Sequence, residues 1–173
     1  MKTIGLLGGM SWESTVGYYR ALNEGVKQAL GGLHLAQIVL VSVDFEPIER
    51  MQHAGDWAGT ARVLADAARQ VEAAGAEGLL ICTNTMHKVA PDIEAAIDIP
   101  VLHIADATAR VLVDAGIQRV GLLGTGFTME EAFYKGRLAE RFGLEVIVPE
   151  AAERARVHRV IYEELCLGRI EPA

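Results

Sequence analysis

The stretch Cys82-Thr83-Asn84-Thr85 concentrates the groups in this chain best suited to chemistry. A deprotonated thiol is both a nucleophile and a base, and the two hydroxyls and one amide that follow it can hold a carboxylate. The run Gly78-Leu79-Leu80-Ile81 reads as a buried strand that delivers Cys82 to its carboxyl end, and a helical segment follows. Ligands of parallel sheets sit beyond the carboxyl ends of strands. Turn and helix N–H groups at such a place predict a thiol more acidic than the free value of about 8.5. The competing reading makes Cys82 a small buried apolar residue; its three polar neighbours favour function.

Other residues carry weaker signals. Gly8-Gly9-Met10-Ser11-Trp12-Glu13-Ser14 has no Lys at the Walker position and does not match G-x-G-x-x-G. Its glycines either bring backbone N–H groups close to a carboxylate or merely permit a tight strand-to-helix turn. Ser11 or Ser14 is expected to cap the helix. Asp44 and Gln52 fall on the same predicted sheet edge, where Asp44 orients a substrate ammonium or shapes a turn. His87 is a partner for a thiolate or a solvated helix residue. His53, His103 and His158 lack metal-ligand spacing, so no metal site is assigned. Cys166 in Glu163-Glu164-Leu165-Cys166-Leu167, at helical period and without polar neighbours suited to a substrate, reads as core or interface.

Short apolar runs alternate with helical segments, the pattern of a parallel α/β fold. Strands are expected at Thr3–Leu7, Gln37–Val43, Gly78–Cys82, Val101–His103, Val120–Leu123 and Glu145–Val148. Helices are expected at Trp12–Leu30, Trp57–Ala74, Met86–Ala96, Asp106–Ala115, Met129–Phe142 and Glu150–Leu167, with Gly75, Gly116, Gly143 and Gly168 at their ends. The run Thr3–Ser11 is echoed by Arg119–Phe127, with Gly5 and Gly121 separated by 116 positions. The chain therefore reads as two similar α/β halves, residues 1–102 and 103–173, with the change near His103. A counterpart of the Cys82 motif would fall at roughly position 198, past Ala173, so the second half is expected to be incomplete.

Composition narrows the classes. A chain of 173 residues with 51% apolar content can bury a sizeable core. Its net charge of −7 argues against nucleic acid or an anionic membrane as the main partner. A small carboxylate is not excluded, because local N–H groups bind anions whatever the global charge. No apolar run reaches membrane-spanning length, and no secretory leader is visible. The two cysteines, far apart in sequence, read as free thiols of a cytoplasmic protein.

Three motifs taken together resemble the aspartate/glutamate racemase family: Gly5-Leu6-Leu7-Gly8-Gly9-Met10-Ser11-Trp12-Glu13-Ser14, Cys82-Thr83-Asn84-Thr85-Met86-His87-Lys88 and Ile161-Tyr162-Glu163-Glu164-Leu165-Cys166-Leu167-Gly168. The resemblance spans essentially the whole chain. It implies a PLP-independent racemase without cofactors, two similar α/β domains and a homodimer acting on an amino acid. It implies that Cys82 is one of two thiols that exchange the α-proton from opposite faces. Met10, Gln52, Thr83, Asn84 and Thr85 are implied to contact the substrate. The second thiol is implied in a Gly-Cys-Thr-Glu motif beyond this chain, and Cys166 is implied not to be that partner. Similar sequences carry Arg where this one has Gly126. The alternatives are a non-catalytic binder of amino acids or small carboxylates, and a one-thiol enzyme such as a decarboxylase or cis–trans isomerase.

Overall fold

A computed structural model describes residues 1–170. The chain divides into two compact units, residues 1–83 with 89–102, and residues 84–88 with 103–170.

The first unit is built on strands β1 (Ile4–Gly8), β2 (Ile38–Ser42) and β3 (Leu79–Ile81), all parallel, in the order β2-β1-β3. Leu7 pairs with Val41 on one side and Ile81 on the other, so the turns that follow the three strands leave the same edge. The connections are helices α1 (Trp12–Leu30), α2 (Phe45–His53) and α3 (Trp57–Ala73), and α4 (Ala90–Glu94) follows later in the chain. Helix α3 packs its Leu64, Ala68 and Val71 face on the sheet, where Leu6, Leu7, Leu79 and Ile81 are also buried. Burial of a Leu or Ile side chain stabilises the fold by about 1.5–3 kcal/mol.

The second unit pairs β4 (Arg119–Gly121) with β5 (Glu145–Ile147), again in parallel. It also contains α5 (Ile104–Asp114), α6 (Gly126–Glu130), α7 (Ala132–Phe142), α8 (Ala151–Glu163) and a 3-10 turn at Leu165–Leu167. Its core gathers Ala105 and Ala109 of α5, Tyr134 and Leu138 of α7, and Leu144. Asp106 accepts two hydrogen bonds from Arg137, one of them 2.7 Å long, and these tie α5 to α7. That guanidinium holds the Asp106 carboxyl below its ordinary range.

The fold class is as expected: parallel α/β in both units, with β1 and β4 each followed by a Gly-containing turn and a helix. Several expected elements differ. Val101–His103 is no strand; Val101 makes one isolated bridge to Leu79. Met86–Ala96 is a 3-10 turn (Thr85–Val89) followed by α4. Met129–Phe142 is broken at Glu131, whose backbone is extended (φ −86°, ψ 158°), which separates α6 from α7. Helix α2 has no counterpart among the expected helices. No described helix is long and apolar enough to cross a membrane.

Candidate functional site

The turn after β1 is fixed by close packing. Gly9 has φ +94°, and a Cβ there would lie 2.2 Å from the Val43 carbonyl oxygen. A Cβ on Gly8 would meet Thr15 Cγ2 at 2.5 Å. The Gly9 N–H donates to Thr15 Oγ1 at 3.0 Å. Both glycines therefore fit the tight-turn reading, and the Gly9 N–H is spent on Thr15. Met10, next in the chain, is buried. Ser11 occupies the N-cap position of α1 without a side-chain cap bond.

Ser14 joins this turn to Cys82. Its hydroxyl lies 2.9 Å from the Ser11 carbonyl and 2.6 Å from the Cys82 carbonyl, so it bridges the two rather than capping the helix. The Cys82 N–H donates to the Leu7 carbonyl at 2.9 Å. The cysteine backbone is thereby pinned on both sides, at the carboxyl end of β3. Its side chain is fully buried, with Sγ 3.9 Å from the Leu80 carbonyl. Burial pushes the thiol up to about 12. This reverses the expectation of an acidified thiol, because desolvation disfavours the charged form.

Thr83 is half-buried and Asn84 is exposed. Thr85 is buried, and its hydroxyl lies 2.9 Å from that of Thr125 and 3.5 Å from that of Thr128. The Thr125 and Thr128 hydroxyls are 3.2 Å apart, and Thr125 also accepts the Thr128 N–H. Gln52 is buried in the last turn of α2. Asp44 is the N-cap of that helix and accepts the Glu46 N–H at 3.4 Å, which is the turn-shaping role. His87 is not solvated: it is buried, its Nε2 accepts the Ile104 N–H at 3.3 Å, and its ring lies 4.4 Å from that of His103. Cys166 is half-buried in the 165–167 turn, and neither it nor Cys82 forms a disulfide among the described residues.

The structure brings Met10, Cys82 and Thr83 to the carboxyl edge of one sheet, with Gln52 on the helix that leaves the same edge after β2. Asn84 and Thr85 belong to the second unit. Sequence reasoning missed the Thr125–Thr128 pair, although Thr125 stands in the second copy of the Gly-rich turn. It also missed Glu13, whose Oε2 is buried and accepts no hydrogen bond among the described residues. At Gly126 a Cβ would lie 3.3 Å from His158 Nδ1, which accepts the Gly126 N–H.

A parallel sheet with a buried cysteine and a Gly-rich turn at its carboxyl edge defines a class of parallel α/β protein. Within that class, the Asp/Glu/hydantoin racemase family model matches residues 7–171, and the chain belongs to that family. It is 58% identical to a Yersinia pestis structure assigned provisionally as an Asp/Glu racemase, with a TM-score of 0.90 over 99% of this chain and 74% of that one. It is 35% identical to an aspartate racemase homologue from Pyrococcus horikoshii, with a TM-score of 0.79 over 98% of this chain and 74% of that one. An aspartate racemase from Picrophilus torridus shares the fold at 20% identity, with a TM-score of 0.76 over 94% of this chain and 67% of that one.

Proposed function

We propose that this chain carries one half of the proton-transfer machinery of a PLP-independent aspartate/glutamate-type amino-acid racemase, with Cys82 as its base. The observation that supports this most is the pinning of Cys82 at the carboxyl end of β3, bonded through Ser14 to the turn after β1. In the step itself, the Cys82 thiolate takes the α-proton, the S–H bond forms and the Cα–H electron pair stays on carbon. A thiol on the opposite face then donates its proton to that carbon, which inverts the centre. Cys166 does not supply that second thiol; the repeat puts it at roughly position 198. Met10, Gln52, Thr83, Asn84 and Thr85 hold the substrate. One base returning its own proton gives exchange with retention, so residues 1–173 alone exchange without racemising.

A thiol at about 12 is not a base at neutral pH. The substrate itself has to lower it, and its ammonium group is the means: an opposite charge within about 4–6 Å favours the thiolate. Adding aspartate or glutamate to the protein is therefore expected to raise its ultraviolet thiolate absorption, and Cys82→Ala is expected to show no rise. The high thiol pKa also favours a second reading, a non-catalytic binder of amino acids or small carboxylates, for which calorimetry would detect binding while the thiolate band stayed flat.

The same reading takes the protein as a cytoplasmic homodimer. Trp12, Val16 and Tyr19 follow one another at helical spacing on α1 and are 63%, 41% and 52% exposed, an apolar face suited to burial in a dimer.

A further inference from the structure

We infer that His87 and His103 form a pH-sensitive clasp that holds the Thr85–Val89 turn on the N-terminus of α5 only while both imidazoles are neutral. Both rings are buried, with 2% and 5% exposure, and their centroids are 4.4 Å apart at a tilt of 59°. His103 is the N-cap of α5, and its Nδ1 accepts the Ala105 N–H at 3.2 Å. His87, arriving from the turn, accepts the neighbouring Ile104 N–H through Nε2 at 3.3 Å. The first two N–H groups of one helix thus end on two different histidines, one of which reaches it from a separate segment. Each accepting nitrogen must carry a lone pair. Protonation would aim N–H at N–H and place a cation at the positive end of the helix dipole.

The surroundings oppose a positive charge on the pair. Arg137 and Arg141 of α7 face His103 alongside Asp106 of α5, and Arg137 commits its guanidinium to Asp106. On the turn itself Lys88 pairs with Glu131 at 2.5 Å. Burial first, then the His87 and Arg137 charges, push His103 down to about 3. A released imidazole takes up a proton near 6.5. Between those values the open form binds a proton that the closed form does not, so stability falls as pH falls. Thr85 opens the clasped turn and is also held to Thr125 and Thr128.

The test is nuclear magnetic resonance on the whole chain without substrate, so it does not depend on the racemase reading. Imidazole nitrogen shifts near neutral pH are expected to show lone pairs on His103 Nδ1 and His87 Nε2. Corrected amide exchange at Ile104 and Ala105 is expected to quicken below roughly pH 6.5, by about tenfold per pH unit for each imidazole that opening releases. His103→Asn keeps a capping acceptor that does not titrate, and it is expected to make that dependence shallower, leaving the His87 share. A proton on either accepting nitrogen at neutral pH, protection constant down to about pH 4.5, or an identical pH dependence in a folded His103→Asn protein would each overturn the clasp.

Discussion

Cys82 and Cys166 are chemically alike and differ in surroundings: the first is fully buried at the end of β3, the second half-buried in a 3-10 turn. With its thiol pushed up to about 12, Cys82 is almost wholly protonated at neutral pH. In the absence of ligand, iodoacetamide is therefore expected to modify Cys166 first, with Cys82 lagging by at least about tenfold. Intact-protein and peptide mass spectrometry would read the order, and prior labelling of Cys82 would contradict it. At this scale the sequence singles out Cys82 and is mistaken about the state of its thiol. Residue type and position at a strand end are local properties, whereas desolvation is imposed by the surrounding fold. The same holds for His87, whose burial against His103 depends on contacts 16 residues apart in sequence.

At the scale of elements, the turn after β1 depends on a residue that no other can replace. Gly9 combines a positive φ with a Cβ position 2.2 Å from the Val43 carbonyl. Gly9→Ala is expected to cost at least about 2 kcal/mol, measured by urea unfolding; a cost under about 0.5 kcal/mol would show that the turn relaxes freely. Elements with strong local signals were legible here. Helix α1 spans Trp12–Leu30 as expected, between its Gly-rich turn and Gly31. Helix α2 was hidden because it is short and carries Pro47 in its first turn, where proline is tolerated. The break at Glu131 has neither Gly nor Pro to announce it; there the chain turns extended and pairs with Lys88. Val101–His103 looked like a strand because it is apolar, yet Leu79 pairs with Val101 through a single bridge.

For the molecule as a whole, the repeat legible from Gly5 and Gly121 corresponds to two parallel-stranded units, and the chain spans 74% of the length of the Yersinia pestis structure it resembles. The exposed Trp12, Val16 and Tyr19 face leads to the expectation of a dimer by sedimentation velocity, converted to monomer by Val16→Glu; a monomeric wild type would remove the dimer from the account. The central claim, that Cys82 works on the α-proton of an amino acid, is tested most directly by α-hydrogen exchange of L- and D-aspartate and glutamate in D2O, followed by NMR. The account predicts exchange from one enantiomer without inversion, lost in Cys82→Ala. No exchange from any of the four, or exchange that survives Cys82→Ala, would contradict it.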